Sequence, residues 1–214
     1  LSTIRLNLQL MAEDLDEEES PGQRRAARRV DAMQEECARL QGLLDDFLQF
    51  AKVRHLDLKP TDLNAEIDDL LDFFAPEGEE ARITLTRYLD PDVPSLLLDR
   101  PSFRGALLNL LLNAKQSMPD GGELTVATVA EGEHALVHVI DTGCGMDDDT
   151  AARMFETFFS TRPGGSGLGL PTISKIIEAH GGTIGVETQQ GRGTQFTITL
   201  PAPPRLAGES AIIK

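Results

Sequence analysis

Tryptophan is absent from this 214-residue chain and tyrosine occurs once, so nine phenylalanines and the aliphatic residues must build whatever core it has. Cysteine is also scarce. Cys37 and Cys144 stand far apart, and Cys144 lies in a glycine-rich stretch; that usage indicates neither a disulfide framework nor a thiolate metal site, and it fits a reducing, cytoplasmic compartment. Basic residues are few: 20 Lys+Arg against 35 Asp+Glu give a formal net charge of −15, which removes the positive field that sequence-independent binding to nucleic acid or an anionic membrane needs. No apolar run approaches the roughly 20 residues of a membrane span, and no charged-then-apolar secretory signal opens the chain. No nucleic-acid partner and no membrane contact by this segment are therefore expected. What is present is 40% hydrophobic residues, enough for one large or two small domains with a real core. The chain begins at Leu1 rather than Met, and it reads as a piece of something longer, whose remainder leaves open whether the parent spans a membrane.

The first stretch predicts two helices. Leu1, Ile4, Leu8, Met11 and Leu15 make one narrow apolar seam, an acidic run follows, and Ser20-Pro21-Gly22 favours a turn. Val30, Met33, Cys37, Leu40, Leu44, Phe47 and Ala51 make a second seam with alternating steps of three and four. The two form an antiparallel hairpin over residues 1–58, and one stripe per helix leaves apolar surface that a second copy would cover as a four-helix bundle, so a homodimer is expected. The alternative is an ordinary amphipathic pair packed on its own C-terminal domain. Lys59-Pro60-Thr61-Asp62-Leu63 marks the boundary, with Thr61 or Asp62 able to cap a helix through Ile67, Leu70, Leu71 and Phe74. Strand-like runs at Ile83–Tyr88, Glu123–Val129, Ala135–Ile140, Gly182–Glu187 and Gln195–Leu200 alternate with helical stretches at Pro101–Ser117 and Pro171–His180. Residues 59–203 thus predict an α+β domain, a sheet covered on one face, and residues 204–214 a loose tail.

Three constellations carry chemistry. Asn109 and Asn113 stand four apart on the apolar helix Leu107–Ala114, and an unpaired buried amide costs about 1–3 kcal/mol, so they need other side chains or a ligand as partners. Amide oxygens suit a hard cation such as Mg²⁺, which takes the rest of its shell from water and phosphate. Next, alternation along His134–Asp141 puts Ala135, Val137, Val139 and Asp141 on one face, so a carboxylate points at the core just before Thr142-Gly143-Cys144-Gly145 frees the backbone. Recognition of an exocyclic amino group is one use; a turn or cap is the plainer one. Asp-Thr-Gly also occurs in aspartic proteases, but they need two such carboxylates and only one copy occurs here. Last, Gly164-Gly165-Ser166-Gly167-Leu168-Gly169-Leu170-Pro171 precedes an apolar helix, where exposed N–H groups and the helix dipole can hold phosphate oxygens. It is neither a dinucleotide fingerprint nor a Walker loop. Twelve of the 19 glycines fall between Gly132 and Gly193, which concentrates backbone freedom in this region, as a ligand site or a flexible hinge would require.

In combination these residues resemble the GHKL (Bergerat) ATP-binding domain, an α/β two-layer sandwich shared by sensor histidine kinases and the gyrase, Hsp90 and MutL ATPases. Asn109-Leu-Leu-Leu-Asn113-Ala resembles the N box, Asp141-Thr-Gly-Cys-Gly145-Met the G1 box and Phe155-Glu-Thr-Phe-Phe159 the F box; Gly165-Ser-Gly-Leu-Gly169-Leu resembles the G2 box and Gly191-Arg-Gly-Thr-Gln-Phe196 the final glycine motif. The hairpin leading into Phe50-Ala51-Lys52 resembles a dimerisation and phosphotransfer domain, and Asn113-Ala-Lys-Gln116-Ser-Met-Pro-Asp-Gly-Gly is most similar to the nitrogen-regulator, NtrB-like kinases.

The resemblance implies ATP and Mg²⁺ as ligands, phosphoryl transfer to a histidine, and a response-regulator receiver domain as partner. By that resemblance Asp141 takes the adenine amino group, Gly145 lets the base approach, Gly143 belongs to the same ATP-binding set, and Asn113, helped by Asn109, holds Mg²⁺. Gly167, Leu168 and Gly169 cradle the phosphates, with Gly165 and Ser166 beside them. Met146 to Gly165 form a lid whose base is packed by Phe155, Phe158 and Phe159, and Arg162 meets charge on the transferred group or remains a solvated lid cation. Two departures stand out. The family's acceptor histidine near the start of the hairpin is missing, since the histidines are His55, His134, His138 and His180, and Leu1-Ser2-Thr3-Ile4-Arg5 resembles the stretch just after it, as truncation would leave. Gln116 stands where many relatives carry a phosphate-contacting Lys, with Lys115 beside it. A GHKL-type ATPase and a non-catalytic nucleotide-binding dimeric scaffold are the alternative readings.

Overall fold

The computed structural model describes residues 4, 6–8, 11, 21–52, 56–162 and 165–202. Of the expected first hairpin helix, residues 4, 6–8 and 11 are helical; Leu1, Leu15 and the acidic run lie outside the described residues, as does the tail from 203 onward. The second helix, α1 (Pro21–Lys52), begins at Pro21 itself, so Pro21 and Gly22 of the expected turn lie in a first helical turn, while Ser20 lies outside the described residues. Proline is tolerated there because its missing N–H would have no intrahelical partner.

Beyond α1 come β1 (Lys59–Thr61), α2 (Leu63–Glu80), β2 (Ile83–Leu89), β3 (Leu96–Leu98), α3 (Arg100–Ser117), β4 (Gly122–Glu131) and β5 (His134–Asp141). The chain continues through α4 (Asp148–Arg153), α5 (Gly169–Ala179), β6 (Thr183–Gln189) and β7 (Gly193–Pro201). The five predicted strands form one mixed sheet in the order β2-β4-β5-β7-β6, parallel only between β2 and β4. The expected boundary segment is itself structured: Lys59–Thr61 pairs antiparallel with Leu96–Leu98. Asp62 is the residue that caps α2, accepting from the Ala65 N–H at 3.0 Å.

Helices α2, α3 and α5 cover one face of the sheet. Leu63, Ile67, Leu70, Leu71 and Phe74 of α2 meet Phe103, Leu107, Leu110 and Leu111 of α3, Ile173, Ile176 and Ile177 of α5, and the inward residues of the strands. Strand β5 shows the predicted alternation, with Ala135, Val137, Val139 and Asp141 buried.

Two polar devices fix the helices. Glu66 of α2, buried, accepts from Arg100 at 2.7 Å and Arg104 at 3.3 Å of α3; losing either partner would leave a poorly compensated buried charge. His180, just after α5, accepts the Asp99 N–H at Nε2 (3.0 Å), while its Nδ1 lies 2.7 Å from the Ile176 carbonyl oxygen, so it is a satisfied core histidine. Asp99 in turn caps α3. The start of α3 is therefore tied to the end of α5. Their opposite ends, carrying Asn113 and Gly169, are left to frame a cavity.

Candidate functional site

Asn109, Asn113 and Ser117 recur at intervals of four along α3, hence on one face, and all three line a cavity of about 700 Å³. Asp141 enters it from the end of β5. Its Oδ1 accepts from the Ser117 hydroxyl at 3.0 Å and the Gly143 N–H at 2.8 Å. Burial raises the Asp141 pKa above the ordinary carboxylate value, while the Gly143, Ser117 and Thr194 donors and the Arg162 charge pull the other way. The loop after it is held on both sides: Cys144 N–H donates to the Ser117 carbonyl (3.0 Å), Gly191 N–H to the Cys144 carbonyl (2.7 Å), and Met146 N–H to Thr188 Oγ1 (3.0 Å). Gly145, at φ 59°, has no room for a side chain, because a Cβ would strike the Gln189 carbonyl oxygen. Its glycine is thus required by the chain's own packing, a reason the motif reading did not supply.

Also on the cavity wall, α5 starts at Gly169 with Leu168 at its N-cap and no side-chain cap. Its first amides lack intrahelical partners and stand at the positive end of the helix dipole, a ready anion site. A Cβ on Gly169 would meet nothing within 4 Å, so space remains there. Gly167, at φ 64°, is pressed against the Phe158–Phe159 backbone, and its carbonyl accepts the Phe158 N–H at 2.9 Å.

The segment expected to form a lid contains α4, capped by Asp147 accepting from Thr150 N–H at 2.8 Å. The expectation for its three phenylalanines is corrected: Phe155 packs on the core and Phe159 lines the cavity, but Phe158 is 72% exposed. Its φ of 66° turns the side chain outward. Arg162 Nη1 donates to Asn113 Oδ1 at 3.0 Å and to Gln116 Oε1, and Nη2 reaches the Asn113 carbonyl at 3.3 Å. Lys115 points elsewhere, pairing with Glu77 of α2 at 2.9 Å.

The cavity thus gathers Asn109, Asn113, Gln116, Asp141, Gly145, Met146, Arg162, Gly165, Ser166, Gly167 and Gly169. Gly143 and Leu168 do not line it: Gly143 serves Asp141 from behind, and the Leu168 side chain is buried while its N–H meets Ser166 Oγ at 3.2 Å. Sequence reasoning missed Ser117, whose i+4 spacing from Asn113 was the available signal, and Thr194, which follows Gly193 in the last glycine motif. It also missed Arg39, Gly42 and Leu43, contributed by α1.

The described residues hold no cluster of three or more His, Cys, Asp or Glu that could bind a metal ion. A divalent cation here would therefore draw on amide oxygens and on oxygens of its ligand. The guanidinium seated on Asn113 Oδ1 shows that this oxygen accepts positive charge.

A deep carboxylate, paired amides and an uncapped helix N-terminus around one cavity, on a mixed sheet with helices on one face, define a nucleotide-binding class of domain. The profile of the histidine kinase-, DNA gyrase B- and HSP90-like ATPases matches residues 98–204. The chain belongs to that family, and its fold is the family's ATP-binding domain. It is 33% identical to the sensor histidine kinase ZraS of Escherichia coli K12 over 184 residues, 86% of this chain and 40% of that protein. Against the alginate biosynthesis sensor protein KinB of Pseudomonas aeruginosa it is 33% identical over 204 residues, 92% of this chain and 34% of KinB. The crystal structure of full-length ShkA in complex with AMPPNP superposes with a TM-score of 0.74 at 28% identity, over 94% of this chain and 43% of that one. The chain spans less than half the length of these relatives. No helix among the described residues is long and apolar enough to cross a membrane.

Proposed function

We propose that this chain is the ATP-binding and catalytic part of a two-component sensor histidine kinase, moving the ATP γ-phosphoryl group to a histidine outside this sequence and thence to a response-regulator aspartate. The observation that carries the reading is Asp141, an inward carboxylate at one end of a cavity whose other end offers amide oxygens and the uncapped start of α5. Asp141, oriented by Ser117 and Gly143, accepts from the adenine amino group. Asn113, with Asn109 one turn before it, would hold Mg²⁺, which when bound neutralises phosphate charge. The amides around Gly167 and Gly169 hold phosphate oxygens. Arg162 stays with the terminal phosphoryl group while its bond to the β-phosphate oxygen breaks and its bond to an imidazole nitrogen forms, the imidazole proton leaving and ADP departing. The ATP requirement supports a cytoplasmic location.

Helix α1 favours the kinase over a simple ATPase. Met33, Leu40, Leu44 and Phe47 of its predicted seam are between 42% and 49% exposed, an uncovered stripe that supports homodimerisation through residues 1–58. The test is incubation of γ-labelled ATP with the chain and with a version extended at its N-terminus to include a histidine-bearing helix. Label on the extended protein, passed on to a receiver domain, is expected. Free phosphate alone would establish an ATPase, and neither product a scaffold.

A further inference from the structure

The phosphate end of the cavity is poor in positive charge. Among the described residues that line the cavity, Arg39, Arg162 and Asp141 alone are charged, in a chain whose net charge is −15. Gln116 is neutral, Lys115 is turned to Glu77, and Arg162 already serves Asn113 and Gln116. A nucleoside triphosphate brings several negative charges, more than one divalent ion and one guanidinium offset.

The second cation among the described wall residues comes from α1, outside the domain that carries the sheet. Arg39 stands on α1 one turn before Gly42 and Leu43, which line the same cavity, and α1 rests against α5, the helix whose N-terminus faces the phosphates. A Cβ on Gly42 would meet nothing within 4 Å, so the wall beside Arg39 leaves room. Glu36 holds the Arg39 fork, Nε to Oε2 at 2.9 Å and Nη2 to Oε1 at 2.7 Å, with both side chains about half exposed (47% and 54%). A solvated pair one helical turn apart is weakly held, and a phosphate presents the same bidentate geometry with higher charge.

Building on the nucleotide-site reading above, we propose that Arg39 is a phosphate-binding residue of the nucleotide site, reaching from α1 to the terminal phosphate and making the site prefer a triphosphate over a diphosphate. Helix α1 then reads which nucleotide is bound, and its position sets the affinity. Glu36 is the competitor that releases Arg39 when the third phosphate arrives.

Calorimetric titration of the chain, R39Q, R39K and E36Q with Mg²⁺-ATP and Mg²⁺-ADP tests this. R39Q should weaken ATP binding roughly fivefold, as loss of one exposed charge-assisted contact does, and leave ADP binding within about twofold. R39K should recover part of the loss, and E36Q should strengthen ATP binding. An ATP-to-ADP affinity ratio unchanged in R39Q, or equal weakening of both nucleotides, would overturn the assignment, the latter marking a structural role of α1. If the unaltered chain binds ATP and R39Q does too, with the same preference, only this inference fails; if the unaltered chain binds neither nucleotide, the nucleotide-site reading fails with it.

Discussion

The two ends of the cavity are built on opposite plans. At the base end, Asp141 and Cys144 are fastened to Ser117 at the end of α3, Cys144 also to the β6–β7 turn and Gly143 to Asp141, all by hydrogen bonds of 2.7–3.0 Å, and a side chain on Gly145 has nowhere to go. At the end proposed for the phosphates, the two cations sit on the loop after α4 and on a separate helix, and each is bonded to a group it can give up: Arg162 to Asn113 and Gln116, Arg39 to Glu36. A planar base of constant shape rewards a rigid, pre-oriented receptor, whereas a phosphate chain that is cut during the reaction requires contacts that form and release. The cost of the rigid end is a buried carboxylate held above its ordinary pKa. The cost of the other end is competition, since a metal ion held as proposed would need the Asn113 oxygen that Arg162 occupies.

The largest test of that contrast is Asp141→Asn. The amide oxygen can still accept from Ser117 and Gly143, but its NH₂ group would face the adenine amino group, donor against donor. Hydrogen bonds to charged groups are worth about 1.5–3 kcal/mol, so adenine nucleotide affinity should fall by about a hundredfold. The same change removes a desolvated charge and should raise the melting temperature. Calorimetry and thermal unfolding on one sample give both readings. A variant that loses affinity and stability together would show that Asp141 holds the fold rather than the base.

At the phosphate end, Asn113→Ala should raise the Mg²⁺ needed for half-maximal ATP binding at least tenfold, about the loss seen even for groups one step removed from a metal. Arg162→Gln should act in the reverse sense on binding, lowering the Mg²⁺ requirement by about twofold to threefold because Asn113 Oδ1 is released. It should nonetheless slow phosphoryl transfer about tenfold. That is short of the two to three decades known for donors in dry sites, because the lid residue is exposed to water. If Arg162→Gln changes binding and transfer by the same factor, the arginine acts on the ground state and the two-ended contrast weakens.

Much of the base end, and the amide pair at the end proposed for the phosphates, was legible in the chain because both are written in local periodicity. The alternation of Ala135, Val137, Val139 and Asp141 and the four-residue step from Asn109 to Asn113 each fix a face without knowledge of the rest of the fold. Ser117 extends the same step and was overlooked because a serine at a helix end is common. The phosphate end is less legible. Phe158 belongs to an apolar motif, yet it adopts a left-handed backbone conformation with its N–H on the Gly167 carbonyl, and its side chain is exposed. Arg39 lies 74 positions before Asn113, and only the seating of α1 against α5 brings it to the cavity. A contact between elements so far apart leaves no periodic trace.

The smallest expected effect concerns how the base end is tuned. Because the folded pKa of Asp141 lies above its unfolded value near 3.9, the ionised side chain costs stability at neutral pH. As pH falls through the raised folded value the native state takes up the proton first, so this group's contribution to stability improves down to the unfolded pKa and then levels off. Nucleotide affinity should move the other way across the same window, since in the proposed site the ionised carboxylate accepts from adenine. Ser117→Ala deletes a donor that favours the ionised form, which raises the pKa further and shifts both curves to higher pH. Affinity at pH 8 should change by less than about threefold, the loss growing to about fivefold as the pH is lowered, one hydrogen bond's worth. Because ATP titrates identically against both proteins, their ratio isolates Asp141. A loss equal at every pH would mean that Ser117 only positions the carboxylate, and that the rigid end is tuned by geometry and not by charge.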